Sequence, residues 1–249
     1  IIDYKGITNK LAELLLSKNP NSKVMTDCEV LDYNDVNIST TKGEFNVKHI
    51  IFCGGLFADR LAIKDNVKLD MQIVGFRGDY YELAEHAKSK INNLVYPVPN
   101  PEFPFLGVHF TRMVEGGIEA GPNAVFAFKK EGYKRTDFDF RDFFGSLLWS
   151  GFQKVMLKYW KTGLGEMYRS FSKKAFTKAL QKLIPEVREE HLVAAPAGVR
   201  AQACDRTGGL LDDFKLVREK RAIHVINAPS PAATSSLSIG KTIADMVEL

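Results

Sequence analysis

The chain has 249 residues, 45% of them hydrophobic and 26% charged, which is enough apolar mass for an ordinary core and too much for a disordered chain. Its 34 basic and 30 acidic residues leave a formal net charge of +4, too even a balance for a nucleic-acid binder, which carries a concentrated basic stripe. The three cysteines, Cys28, Cys53 and Cys204, include no C-x-x-C, so they fit free thiols in a reducing, cytoplasmic compartment and give no zinc pattern.

No stretch approaches the roughly 20 apolar residues that cross a bilayer. The chain opens Ile1-Ile2-Asp3, with neither an initiator methionine nor a signal segment, so these residues read as the interior of something longer. Leu11, Leu14 and Leu15 recur at helical spacing, and Asn19-Pro20-Asn21 stops that helix. Strands are expected over 23–33, 36–41 and 44–47, with turns at Asn34-Asp35 and Lys42-Gly43, a small antiparallel excursion. The apolar run His49-Ile50-Ile51-Phe52-Cys53 ends at Gly54-Gly55 and enters a helix over 57–61, which is α/β order.

From 70 to about 128 the chain is rich in β-formers, with strands expected over 71–76, 80–83, 94–98, 107–111 and 117–121. Pro97, Pro99, Pro101 and Pro104 mark a rigid loop. The basic group Lys129, Lys130, Lys134 and Arg135, with Glu131 and Asp137 among them, reads as a solvated face or an anion-attracting rim. A helix is expected over 140–159, where Phe140, Phe144, Leu148, Phe152 and Val155 help keep one face apolar. A helix over 170–183 follows, then strands over 193–199, 209–218 and 223–227 and a final helix over 232–249. The order is α/β, a β-rich block with two helices, then α/β again. One domain inserted into another gives that order, with boundaries expected near 69 and 191.

Three segments carry chemistry. Phe52-Cys53-Gly54-Gly55 follows a buried strand, where glycines let a ligand approach the backbone or simply make a tight turn. The stretch Asn227 to Ser236 joins a strand to the last helix. Its hydroxyls sit where a helix start attracts negative charge, or they only cap the helix. In Ala197-Gly198-Val199-Arg200-Ala201-Gln202 an arginine stands among small neighbours, either to grip a carboxylate bidentately or to form a structural ion pair.

Taken with Arg77-Gly78-Asp79-Tyr80-Tyr81, the block from Phe105 to Met113, Gly121-Pro122-Asn123-Ala124-Val125, Lys129 to Tyr133 and Gly163-Leu164-Gly165-Glu166-Met167, these segments resemble the bacterial L-2-hydroxyglutarate oxidase/dehydrogenase family, of the D-amino-acid-oxidase-like FAD enzymes. The resemblance covers essentially the whole chain. It implies a remnant of a Rossmann-like FAD-binding domain over 1–69 and 191–249 and an inserted, mainly antiparallel β substrate domain over 70–190. The family opens with a strand, a G-x-G-x-x-G turn and a helix. No G-x-G-x-x-G occurs in this sequence, so a preceding segment of roughly 150 residues, about one domain's worth, is expected.

The resemblance implies cofactor contacts at Val30, at Cys53, Gly54 and Gly55, and along Pro229, Ser230, Pro231, Ala232, Ala233, Thr234 and Ser235. It also implies a hydride passed from the substrate's Cα to flavin, yielding 2-oxoglutarate from a small dicarboxylate. Arg200 resembles the arginine that clamps the α-carboxylate. Arg77 and Arg112 are candidates for the distal carboxylate, and Asn123 for a substrate hydrogen bond or a turn. His109 is a candidate for the base, its alternatives being a histidine of the family's preceding segment in that role and His109 as a strand residue satisfied by its neighbours. His49, His86, His191 and His224 read as surface or element-end residues. The helix around Phe140 to Trp160 is either core packing or, with Trp149, Tyr159, Trp160, Lys154, Lys158 and Lys161, an interfacial helix. The latter suits peripheral contact at the inner face of a membrane and a quinone acceptor, the other acceptor being dioxygen. Competing functions are a related flavoenzyme for another small amino or hydroxy acid, and a non-catalytic fragment.

Overall fold

The computed structural model describes residues 2–34, 36–98, 107–230 and 232–247. Pro99, Pro101, Pro104 and Pro231 lie outside them. Its backbone is a pair of long antiparallel strands, β5 (Met71–Leu83) and β9 (Leu192–Asp205), paired from Met71 opposite Asp205 to Leu83 opposite Leu192 with one shift of register between Gly78 and Tyr80. The two strands expected over 71–76 and 80–83 are one continuous strand, because Arg77, Gly78 and Asp79 keep extended geometry between them. On the other edge of β5 lie β7 (Ile118–Gly121) and β8 (Val125–Phe126), and β6 (His109–Arg112) pairs with β7.

One face of this sheet buries Tyr81, Leu83, Phe110 and Ile118 against Phe176 and Leu180 of α5 (Lys173–Leu180). Burial of this kind stabilises by about 25 cal/mol per Å² of apolar surface. The helix expected over 140–159 is two helices, α3 (Phe140–Leu147) and α4 (Ser150–Phe171), with Trp149 in extended geometry between them. Trp149 is held there by its indole, whose Nε1 donates to the Cys204 carbonyl at 3.0 Å. α4 runs on to Phe171 through a non-helical residue at Tyr159.

The chain ends build a second sheet. β4 (Ile50–Phe52) pairs in parallel with β11 (Ala222–Asn227), and β10 (Lys215–Glu219) pairs antiparallel on the far side of β11. β9 stays in the larger sheet to Asp205, so the chain leaves that sheet later than position 191. α2 (Ala58–Lys64) follows β4 and buries Ala62 with Ile73 and Ile226. A separate antiparallel sheet joins β1 (Val30–Tyr33), β2 (Asn37–Thr40) and β3 (Gly43–Asn46). The strand expected from 23 begins only at Val30, since Asp27 takes a left-handed backbone (φ 50°). α1 (Tyr4–Lys18) is capped by Asp3, whose carboxylate accepts from the Gly6 amide, yet it buries no side chain. α6 (Ser236–Met246) closes the described chain.

Candidate functional site

Facing positions of β5 and β9 frame a hollow of about 190 Å³, walled by Phe76, Gly78, Tyr80, Pro122, Gly198 and Arg200. The ladder sets Phe76 opposite Arg200 and Gly78 opposite Gly198, so two glycines meet on the floor. A Cβ on Gly78 would lie 2.5 Å from Pro122 Cβ, so only glycine lets that wall come so near. Arg200 is exposed to solvent at this hollow. The Tyr80 phenol is pushed up in pKa by burial and by Glu119, while Arg200 pulls it back.

His109 lies in register with Gly121, and a Cβ on Gly121 would meet the Tyr80 ring at 3.1 Å, so His109, Tyr80 and Arg200 share one neighbourhood. Its Nδ1 sits 2.9 Å from the Gly107 carbonyl, and Tyr96 stacks on its ring at 4.3 Å and 20°. A carbonyl can only accept, so Nδ1 carries the proton in this contact and Nε2 keeps the lone pair. Burial holds the His109 pKa below its ordinary value, the Gly107 carbonyl opposes that, and Arg200 adds to the lowering.

Two other predicted residues form an internal network. Strand alternation turns Arg77 away from Phe76 and Gly78. Arg77 is buried, and each guanidinium nitrogen donates to protein: Nε to Asp79 at 3.2 Å, the other two to the Lys134 carbonyl (3.2 Å) and Ser170 Oγ (3.3 Å). Asn123 borders the hollow, but its Oδ1 accepts from the Asp79 amide at 2.7 Å and its Nδ2 donates to Asp79 and to the Glu166 carbonyl, each at 3.4 Å. Arg112 alternates away from His109 onto the face of buried Phe110, and donates to the Asn92 carbonyl at 3.3 Å.

The cofactor candidates meet at another edge. β4 and β11 are parallel, so Cys53-Gly54-Gly55 and the loop from Ala228 emerge at the same carboxyl end, where α/β sheets hold nucleotides. Gly55 has φ 50° and nothing within 4 Å of a Cβ, an open backbone cradle. At α6 the Ser235 side chain makes no capping bond and the first turn holds no acid, so its amides suit an anion. Thr234 Oγ1 is 2.8 Å from the Tyr4 hydroxyl, Ala232 N donates to the Pro229 carbonyl at 2.8 Å, and Ser230 and Ala233 complete the turns before α6. These residues fit a phosphate or flavin group. Val30 stands apart, half-exposed on β1.

Sequence reasoning missed Tyr80, although period-two alternation from Gly78 points it at the hollow. It also misjudged Lys130, which is neither solvated nor a rim. Lys130 is 4% exposed, and its Nζ donates to the Leu56 carbonyl at 2.6 Å, to Asp59 at 2.9 Å and to the Ile73 carbonyl at 3.2 Å. Of the histidines expected at the surface or at element ends, His191 ends a 3-10 turn just before β9 and His224 lies inside β11, and both are buried. His191 Nδ1 accepts from the Arg188 amide, and His224 Nε2 lies 2.8 Å from Asp65. Among the described residues no cluster suits a metal ion.

A glycine turn and an uncapped helix start at the ends of parallel strands, beside an antiparallel sheet with a cationic hollow, suit a nucleotide cofactor. Residues 1–246 match the DAO family, the FAD dependent oxidoreductases, and the chain belongs to that family. It is 53% identical to the L-2-hydroxyglutarate dehydrogenase of Indibacter alkaliphilus over 98% of this chain and 62% of that protein. Against the L-2-hydroxyglutarate dehydrogenase of Escherichia coli it is 41% identical over 100% of this chain and 60% of that protein. The chain thus spans about three fifths of the length of these relatives. FAD-bound L-alpha-glycerophosphate oxidase from Mycoplasma pneumoniae shares the fold, with a TM-score of 0.62 and 19% identity, covering 91% of this chain and 52% of that one. L-proline dehydrogenase from P. horikoshii shares it with a TM-score of 0.53 and 13% identity, covering 96% of this chain and 55% of that one.

Proposed function

We propose that this chain carries the substrate site and part of the cofactor site of an FAD-dependent dehydrogenase that oxidises L-2-hydroxyglutarate to 2-oxoglutarate. The observation that carries this reading is the exposed Arg200 at a glycine-floored hollow with His109 nearby in a fixed tautomer. The names of the relatives supply the substrate. Arg200 grips the α-carboxylate through its planar fork. The lone pair on His109 Nε2 takes the hydroxyl proton as the Cα hydride departs. FAD, when bound, supplies the hydride acceptor. Tyr80 offers a hydroxyl donor in the same hollow.

Arg77 and Arg112 remain the cations proposed for the distal carboxylate, although Arg77 would first have to give up its internal partners. A second reading, a related flavoenzyme for another small amino or hydroxy acid, is favoured by one observation: Arg200 is the one cation lining the hollow among the described residues. Electrons then leave to dioxygen or to a membrane quinone, the latter placing the enzyme at the inner face of the membrane. No helix is long and apolar enough to cross a bilayer among the described residues.

The test is anaerobic bleaching of the flavin in the full-length enzyme. L-2-Hydroxyglutarate should bleach it, and a monocarboxylic 2-hydroxy acid should do so far more slowly. Equal rates favour the second reading, and no bleaching by either acid removes both. Arg200→Lys keeps the charge but loses the fork, and should lower kcat/KM by about 100-fold, while Arg218→Lys should not. A silent Arg200→Lys would return Arg200 to a structural role.

A further inference from the structure

We propose that Tyr96 is a positioning residue, and that the run Val95-Tyr96-Pro97 is a splint holding the His109 ring in the orientation its chemistry needs. This rests on the reading of His109 as the base. An imidazole turns easily about its Cβ–Cγ bond, because that torsion is broad and roughly two-fold. A half-turn exchanges the two ring nitrogens, so a base that works through Nε2 has to be held against it.

Each residue of the run meets a different part of the histidine's surroundings. Val95 pairs with Phe110, the residue after His109: its amide donates to the Phe110 carbonyl at 3.1 Å, and its carbonyl accepts from the Phe110 amide at 2.9 Å. Tyr96 lies nearly flat on the imidazole, with ring centres 4.3 Å apart and planes 20° apart. Its hydroxyl is 3.3 Å from Thr111 Oγ1. His109 and Thr111 alternate onto one face of β6, so the phenol covers the imidazole and is anchored beyond it. Pro97 stands behind Gly107, where a Cβ would lie 3.5 Å from Pro97 Cγ. The Gly107 carbonyl takes the Nδ1 proton at 2.9 Å, and proline has no amide to compete for it.

A nearly parallel ring at this distance blocks the half-turn, since an imidazole rotating out of its plane would strike it. The tether at Nδ1 then selects one of the two flat orientations, the one that presents the Nε2 lone pair. Tyr96 is 46% exposed, whereas Tyr81, which serves the core, is 8% exposed. Burial of its own surface is therefore a small part of what Tyr96 does. The other titratable groups on this side of the sheet are Tyr80 and Glu82 on β5, Arg200 on β9, and Glu119 on β7, which stands opposite Thr111 and Glu82. Burial is the largest influence keeping the imidazole neutral, with Arg200 adding to it, and the phenol supplies cover on one ring face.

The experiment is a double-mutant cycle in the full-length enzyme, with Tyr96→Leu and His109→Gln read as kcat, KM and the pH profile of kcat/KM. Tyr96→Leu keeps apolar bulk and loses the flat ring. It should lower kcat about 10- to 100-fold with KM little changed, because a displaced base harms proton transfer more than binding. Added to His109→Gln, it should cost less than about twofold more, since the two act as a unit. Tyr96→Phe keeps the ring and should recover most of the loss. Tyr96→Ala lets water onto the imidazole and should move the acid limb of kcat/KM upward. Equal losses from Tyr96→Leu in both backgrounds, a Tyr96→Phe as slow as Tyr96→Leu, or an unmoved limb in Tyr96→Ala would overturn the splint and leave His109 as the base. Undiminished turnover in His109→Gln would remove the base, and the splint with it.

Discussion

At the residue scale, His109 joins chemistry to a measurable pH dependence. A base must be neutral to accept a proton, so kcat/KM of the full-length enzyme should fall as pH drops through the His109 pKa. Burial, with Arg200 beside it, places that pKa below the ordinary imidazole value, about 6.5, so the acid limb should lie below that pH. Arg200→Met removes a cation that disfavours the imidazolium and should move the limb upward, besides slowing turnover. His109→Gln should abolish the limb; a limb that survives it belongs to another group. Arg200 and His109 stand out in the sequence because each is an unusual residue type inside a run of strand formers, and both do lie on strands. The engagement of Arg77 was not legible, because nothing local to Arg77 announces that Ser170, 93 positions away, completes its hydrogen bonds.

At the scale of elements, one lysine ties three of them together. Lys130 reaches the carbonyl of Leu56, just past the glycine turn, the Asp59 carboxylate on α2 and the Ile73 carbonyl on β5. Its own amide donates to Asp142 of α3 at 2.7 Å. The glycine turn is thereby fixed to the sheet that carries Arg200. Lys130→Met should leave Asp59 buried without its cation, and should cost about 3–5 kcal/mol of stability by the usual cost of breaking a buried pair. The adjacent Lys129 is exposed, and Lys129→Met should change stability by less than about 0.5 kcal/mol. Urea denaturation of both variants checks this, and equal midpoints would refute it. Adjacent identical residues with opposite fates show why the sequence misled here. Helix breaks were hidden for a related reason: the apolar period runs unbroken from Phe140 to Val155, while the chain turns at Trp149 because its indole is claimed by the Cys204 carbonyl on β9.

Across the whole molecule, order is unevenly distributed. The β5–β9 pair is bonded along its length and packed between α4, α5 and α2. By contrast α1 buries nothing and exposes Ile7, Leu11, Leu14 and Leu15, while β4 has, among the described residues, only β11 beside it and exposes Ile51. Hydrophobic spacing made α1 legible as a helix, because amphipathic pattern reports which residues want burial; it is silent on what buries them. An apolar face without a partner contributes little stability, and an unpaired strand edge leaves amides open to solvent. Hydrogen exchange of the 249-residue chain should therefore be slowest in β5 and β9, faster in β4, and fastest in α1, where opening exposes almost no new surface. Flavin should be held weakly by the same chain, since the cradle at Gly55 and the start of α6 are present but no G-x-G-x-x-G is. If α1 exchanged as slowly as β5, its exposed leucines would have to be covered in solution, most simply by a second copy. The uneven order argued from burial would then be wrong at that end of the molecule.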